Sequence, residues 1–523
     1  LPATPIIRNQ VKKYRKFFRA KDRRDAVKKL SGDISSVTQM NLAVMAVLSG
    51  CGRLQPSALL RAVLDAGLEM ETNSVYQSFV NYGADKAFWV MVAQGTGYTE
   101  GEETSLGRLA IHLLLTAATR TMHTDLLAGL DAFISIPHQA YCYDFVSDWL
   151  HSQNTTKVYE TARYVEQEAR LPQRFSQLAV EDLVDTACFP CIDECILISL
   201  MKEIGDHIIQ AEYIRLVVEK RRTMPWYQSV ASYYEGLLQV ANMQTFFAEH
   251  SAGFHTVEPH RIWQEYTSDY YRMDTYYRLF HLCFQRGLKE SHPLLDDLFK
   301  QVADKVEGLY THWFLGQLGQ NWSDACAETL EKHGHILEVP QQTDFYAQKV
   351  RPSENRVFVI VSDAFRYEVA ASLAEDLRRE MQCKVTLGSC EGMFPTVTKY
   401  GMAALLPHKK LEVKPRTDGT LAVLADGEPT DAGYRDKLLK KANPASVALK
   451  YEEILLLKRQ ERQALVKGMS VIYLYHDTVD KASHTSDSAV FSACEEAISQ
   501  IKNLVRIIVN DFGGTNILVT ADH

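Results

Sequence analysis

The sequence predicts an α + α/β protein: a large all-helical N-terminal region, then a doubly wound α/β domain. Three observations carry this. Up to about residue 345, apolar residues recur at the spacing of a helix face, as in Leu59-Leu60, Val63-Leu64 and Leu68, or Leu106, Leu109 and Leu113. Beyond that point the pattern becomes strand, loop, helix. Three short apolar runs, Val357 to Val361, Val471 to Tyr475 and Ile517 to Thr520, read as strands buried on both faces, as in a parallel sheet. A chain of 523 residues also exceeds one ordinary core, so at least two domains are expected. The division falls between residues 1–345 and 346–523. The polar stretch Gln341 to Glu354, with Pro352 inside it and Pro340 before it, is expected as the linker.

Taken in order, residues 8–29 form a basic helix with Tyr14, Phe17 and Phe18 interleaved among Lys12, Lys13, Arg15, Lys16, Arg19, Arg23, Arg24, Lys28 and Lys29. Two readings stand: a surface that tracks DNA phosphates, or an amphipathic helix whose aromatics pack inward, which is slightly favoured. The aromatic stripe from Trp226 to Phe284 is expected as a seam between helices. After the linker the first strand ends at Asp363. A helix follows, with Phe365, Val369, Leu373, Leu377 and Met381 on one face. Lys384 to Leu387 reads as a second strand, and Phe394 to Thr398 leads into a short helix from Lys399 to Leu406. Residues 408–469 are expected as an insertion: a hairpin around Asp418-Gly419 and Asp426-Gly427, turns broken at Pro444, and a charged helix from Tyr451 to Lys467. The stripe Phe491, Cys494, Ile498, Ile501, Val505 and Ile508 marks a helix ended by Gly513-Gly514, and the final strand carries Asp522-His523.

Composition sets the broad class. Hydrophobic content of 46% and charged content of 23% describe a folded, soluble protein. A net charge of −8 argues against a uniformly basic nucleic-acid coat and leaves room for a local basic patch. No apolar stretch approaches the roughly 20 residues that span a bilayer, no secretory leader is visible, and a cytoplasmic protein without membrane contact is expected. The chain stops within a candidate site, so it is expected to be a C-terminally truncated fragment. Ten scattered cysteines suit a reducing compartment. Cys188, Cys191 and Cys195, with a histidine such as His207, have the makings of a structural zinc site. With no second pair, buried thiols at a helix start are the favoured reading.

The candidate chemistry lies at strand ends. Asp363 follows the first strand, Asp480 and His484 follow the second long run, and Asp522-His523 close the last. In open α/β sheets ligands bind beyond the carboxyl ends of the strands. Carboxylates and imidazoles gathered there suit a pair of divalent ions about 4 Å apart that clamp an in-line phosphoryl displacement. Thr398 is the candidate attacking hydroxyl, at a helix start where free N–H groups favour phosphate oxygens; Thr396 is the alternative, and an ordinary N-cap is the competing role for Thr398. Each aspartate taken singly could be a turn residue or a cap. Arg366 is placed either to contact substrate phosphate or to form a helix-surface salt bridge.

The order of these motifs resembles the alkaline phosphatase superfamily, especially its nucleotide pyrophosphatase/phosphodiesterase branch. More closely, Ser362-Asp-Ala-Phe-Arg-Tyr-Glu368, Phe394-Pro-Thr-Val-Thr398 and Tyr473-Leu-Tyr-His-Asp-Thr-Val-Asp480 resemble the PglZ family of BREX phage-defence systems. The resemblance covers residues 355–523, and the helical part fits the long region that precedes this domain in such proteins. It implies two zinc or manganese ions. Asp363, Thr398, Asp522 and His523 would surround one, with Thr398 as the nucleophile that forms a phosphothreonine. Asp480 and His484 would hold the other, a site that superfamily members complete with a further downstream histidine. The implied function is a metal-dependent phosphohydrolase, with phosphodiesters preferred, whose partners are other BREX proteins and a phosphoester substrate. The alternative is a non-catalytic scaffold that assembles the defence complex and retains the hydrolase fold for ligand sensing.

Overall fold

The computed structural model describes residues 5–32, 34–99, 104–206, 210–381, 383–486 and 488–523. Contacts divide the chain into two compact units, Leu1–Leu238 with Glu290–Val302, and Gln239–Lys289 with Ala303–His523.

The first unit is helical for the reasons its sequence predicts. Leu106–Ala118 is buried at every position except Arg108, and the Ser105 hydroxyl starts it by accepting the Arg108 N–H at 3.1 Å. Its largest buried polar group, Arg221, is fully matched. Nε and Nη2 donate to the two Asp193 oxygens at 2.7 and 2.8 Å, Nη1 donates to the Val184 and Thr186 carbonyls, and the Tyr234 hydroxyl donates to Asp193 Oδ1. Such pairing is what permits a buried charge pair.

The basic segment is not one helix. Pro5–Lys13 and Lys21–Ser31 are separate helices joined through a 3₁₀ turn at Phe17–Arg19. The break brings both Tyr14 and Phe17 into the core, fully buried, while Lys12, Lys13, Arg15, Arg19, Arg24, Lys28 and Lys29 stay exposed. Arg24 donates to the Phe18 carbonyl at the bend, and the Arg23 guanidinium lies over the Tyr82 ring. Cys188, Cys191 and Cys195 are buried around the start of Pro190–Gly205. Burial pushes the Cys188 and Cys195 thiols up to about 12 and Cys191 upward as well. Among the described residues these cysteines form no metal-ligating group; His207 lies outside those residues.

In the second unit a four-stranded sheet has the order β5-β6-β1-β7 and is parallel throughout. Its strands are β1 (Val357–Ser362), β5 (Ser446–Lys450), β6 (Val471–His476) and β7 (Asn516–Ala521). Helices cover both faces, as double winding requires. Phe358 and Ile360 point to the face covered by α1 (Tyr367–Glu380) and α4 (Ala489–Asn510). Val357, Val359 and Val361 point to the other, against Tyr346, Met402 and Leu405. Met402 belongs to α2 (Thr398–Ala404), and α3 (Thr478–Ser483) follows β6. An antiparallel sheet of β2 (Leu411–Pro415), β3 (Leu421–Ala425) and β4 (Glu428–Pro429) turns at Asp418-Gly419 and Asp426-Gly427, as expected.

Four further expectations differ from the structure. Residues 384–387 run without a ladder and form no strand; their alternation of exposed and half-buried side chains does not suit a sheet covered on both faces. Conversely, Ser446–Lys450, expected within the insertion, is β5 of the main sheet, so only 408–445 stands apart from it. The charged helix is two, Tyr451–Leu456 and Arg459–Val466. Finally, Gln341 to Glu354 is no free linker: Gln341 bridges to Glu391, and Tyr346 and Val350 are core residues in a π-helical turn. Packing therefore divides the chain elsewhere than residue 345. Residues 239–289 and 303–345 belong with the sheet because a nearly buried Arg278 reaches back to α1 and α4. Its Nε donates to both Glu368 oxygens at 2.9 and 3.0 Å, Nη1 pairs with Glu495, and Nη2 donates to Ser372.

Candidate metal centre and active site

Sheet register builds the site. Ser362 at the end of β1 is level with His476 of β6 and Ala521 of β7. The next residue on each outer side of that level is an aspartate, so Asp363 and Asp522 emerge next to each other at the carboxyl edge. The Asp363 N–H donates to the His476 carbonyl at 2.8 Å and fixes the strand end. Asp522 Oδ1 accepts the N–H groups of Ala364 at 3.1 Å and of His523 at 2.9 Å. Asp480, in α3, comes in from the β6 side. Asp363, Asp480 and His523 each present a ligand atom within 4.8 Å of the others, the sole such group among the described residues.

Thr398 is the first residue of α2, and the cap position is Val397. Its hydroxyl is thus not used as a cap. It lies 3.4 Å from Asp363 Oδ1 and 3.3 Å from His523 Nε2, and that imidazole nitrogen is 3.4 Å from the same Asp363 oxygen. Thr396 is exposed and makes no hydrogen bond to the cluster. His484 is exposed, with Nε2 3.3 Å from Asp480 Oδ2, and is not drawn into the group of three. Asp480, which the resemblance assigns to the second ion, has a carboxylate oxygen close to the ligand atoms of Asp363 and His523. Arg366 caps α1. Burial opposes its charge, but Asp274, Tyr310, Tyr266 and Glu368 outweigh that and raise its pKa. Among the described residues no carboxylate oxygen lies within ion-pair distance of it, although Asp274 and Glu368 are near enough to act on its charge.

Two observations test whether this donor set suits a cation. Burial, then the charges of Asp522 and Asp480, push the Asp363 carboxyl up to about 8, which is the electrostatic cost of gathering carboxylates without a counter-charge. Asp522 Oδ2 is buried and has no hydrogen-bond partner; His523 Nε2, at 3.8 Å, is too far to supply one. Buried polar atoms are otherwise nearly always satisfied. Hard carboxylate oxygens with one imidazole fit a divalent cation, which Asp363, Asp480 and His523 would hold with Asp522 alongside.

Three supports are not marked as site residues by the sequence, although His476 lies inside the motif that ends at Asp480. Buried Gln342 donates to the Ala521 and Asp522 carbonyls at 3.0 and 2.6 Å and accepts the Met393 N–H at 3.0 Å. Gly401, one turn along α2 from Thr398, lies so close to the Asp522 backbone that an added Cβ would be 1.9 Å from its carbonyl oxygen. His476, held neutral by burial, bridges the Ser362 hydroxyl at 2.9 Å and Gln500 Oε1 at 2.6 Å beneath the strand ends. Glycine in a helix and glutamine before a strand are common, and only the approach of distant backbone marks these.

A parallel sheet with convergent aspartates, a histidine and a hydroxyl at its carboxyl edge is the arrangement of an alkaline phosphatase-like domain. Residues 345–523 match the family of the BREX system PglZ alkaline phosphatase-like domain, and the chain thus carries a PglZ domain. Similarity extends over the helical region as well. The chain is 29% identical over 524 residues to the alkaline phosphatase-like protein PglZ of Bacillus cereus (strain H3081.97), covering 99% of this chain and 60% of that protein. It is 28% identical over 544 residues to the alkaline phosphatase-like protein BrxZ of Escherichia coli O9:H4 (strain HS), covering 99% of this chain and 61% of that one. The chain therefore spans about three fifths of the length of these relatives. No described helix is long and apolar enough to cross a membrane.

Proposed function

We propose that this chain is a metal-dependent phosphohydrolase, acting on phosphodiesters in preference to monoesters, in a bacterial BREX anti-phage defence system. The supporting observation is the uncapped Thr398 hydroxyl set against Asp363 and His523 beside two further carboxylates. In this reading Thr398 Oγ1 attacks phosphorus. An Oγ1–P bond forms as the P–O bond to the leaving alcohol breaks, and water then hydrolyses the phosphothreonine. Asp363 Oδ1 is the carboxylate acceptor within reach of the hydroxyl proton, with its second oxygen left for an ion. Two zinc or manganese ions, when bound, would stabilise charge on the attacking and leaving oxygens. Asp363, Asp480, Asp522 and His523 would hold them, with His484 joining Asp480 at the second. Arg366 would meet a substrate phosphate oxygen. The preference for diesters rests on the Pro-Thr-x-Thr turn. Other BREX proteins as partners, DNA near the basic helices and a cytoplasmic location complete the proposal.

The test is hydrolysis of a chromogenic diester with zinc or manganese. Activity abolished in both Thr398→Ala and Asp363→Ala is expected; unchanged activity would sink these assignments. A scaffold is the second reading, favoured by a helical first unit without a metal-ligating group among its described residues. Phage protection that survives Thr398→Ala would select it.

A further inference from the structure

A polar cavity lies at the other edge of the parallel sheet. It has a volume of about 680 Å³, within the range of small-molecule sites, roughly 300–1,000 Å³. Val357 and Val471, the first residues of β1 and β6, form part of its wall, whereas Asp363 follows the last residue of β1. At about 3.3 Å per residue, the strand separates the cavity from the metal centre by about 20 Å. Ligands of the hydrolytic chemistry belong at the carboxyl edge, so this cavity needs a different explanation.

Its charge supplies one. Arg351, Arg356, Lys409 and Lys441 line it, with His408 among them. Two carboxylates share the wall and offset part of this charge, leaving four fixed cations against two anions. Asp426 Oδ1 already accepts the backbone N–H groups of Lys409 and Lys410 at 3.1 and 2.9 Å, and Glu354 is exposed. Arg356 uses one nitrogen on the Phe512 carbonyl at 3.2 Å, and its other nitrogens make no ion pair. Among the described residues, no carboxylate pairs with Arg351, Arg356 or Lys409, and Lys441 has only Glu428 at 3.6 Å. The Arg351 guanidinium lies over the Tyr346 ring, 5.9 Å from its centre, which restricts its orientation. In a chain of net charge −8, an excess of cations over carboxylates around one concavity makes it a candidate anion site. Guanidinium groups favour phosphate, which they can bind through paired donors.

We propose that this cavity binds a small phosphate-bearing polyanion of nucleotide size, at a site separate from the metal centre. It is independent of the phosphohydrolase reading. The test is calorimetric titration of ATP, and separately of inorganic pyrophosphate, into the whole chain in EDTA, where hydrolysis is suppressed. Saturable binding of at least one probe is expected, unchanged by Asp363→Asn and weakened about tenfold or more in Lys409→Glu/Lys441→Glu. Both lysines are exposed, so the double variant should keep its melting temperature. ATP binding without pyrophosphate binding assigns a nucleotide; binding of both assigns the phosphates alone as the recognised group. The proposal fails if neither probe saturates, if Asp363→Asn abolishes binding that the lysine variant retains, or if only a duplex oligonucleotide binds.

Discussion

Gln342 Nε2 lies 2.6 Å from the Asp522 carbonyl, and Gln342 Oε1 takes the Met393 N–H at 3.0 Å. One buried side chain thus ties the strand end bearing Asp522 and His523 to the loop that leads to Thr398. Gln342→Ala takes this partner from the Ala521 and Asp522 carbonyls and the Met393 N–H, at about 1–3 kcal/mol for a buried group left unsatisfied. The expected result is a lower melting temperature together with a diester kcat reduced about tenfold or more and a nearly unchanged KM. Gln342→Glu, which keeps the size but loses the donor, should behave alike. Wild-type kcat in Gln342→Ala would remove the residue from the site.

Gly401→Ala should displace α2 from the Asp522 backbone, since the new methyl would meet the carbonyl oxygen at 1.9 Å. Overpacking of this kind costs about 1–3 kcal/mol. Loss of divalent-metal affinity by calorimetry is expected alongside the loss of stability. Gly392→Ala is the control, because its methyl would rest at an ordinary 3.6 Å from the Thr396 methyl.

Stability without metal should fall as pH rises. Asp363 has a folded pKa of about 8 against an unfolded value of 3.8, so between these values the folded state holds the extra proton. Its contribution is favourable at low pH and is lost as pH climbs through about 8. Melting curves in EDTA between about pH 5 and about pH 8 should therefore show a declining melting temperature, and excess zinc or manganese should reverse the decline. Asp363→Asn should flatten the EDTA curve.

Arg278→Met should be among the most damaging substitutions in the second unit. It strands the buried Glu368 carboxylate and removes the bond to Ser372. Breaking one side of a buried ion pair costs about 3–5 kcal/mol, measurable as a shift in the denaturant midpoint.

Thiol titration of the native protein near pH 8 should label exposed Cys383 quickly and leave Cys188, Cys191 and Cys195 unreacted until denaturant is added. Zinc content unchanged by Cys188→Ser would fit buried thiols; zinc lost with that variant would restore the metal reading.

The parts legible in the sequence were those with a period or a chemical signature. Val357–Ser362, Val471–His476 and Asn516–Ala521 announce themselves as apolar runs, and Asp363 and Asp522, just past the first and the last, are the aspartates that register aligns. Ser446–Lys450 did not, because an edge strand covered unevenly has no such run. Lys384 to Leu387 misled for the opposite reason, since alternation alone does not provide a neighbouring strand. The Thr398 contacts followed from the motif, but Gln342, Gly401 and His476 act through backbone that is remote in the chain. Nothing in the local sequence of Gln342 or Gly401 distinguishes them from ordinary glutamine and glycine, and the motif that contains His476 does not disclose its role.

The parallel bridge from Gln341 to Glu391 carries a practical consequence. Anyone excising the phosphatase-like domain at residue 345, where the family match begins, would cut three positions past Gln342. The shortened polypeptide would retain every proposed metal ligand, yet the Asp522 carbonyl would lose its clasp and Glu368 its arginine. Inactivity of such a fragment would indict the scissors, not the chemistry.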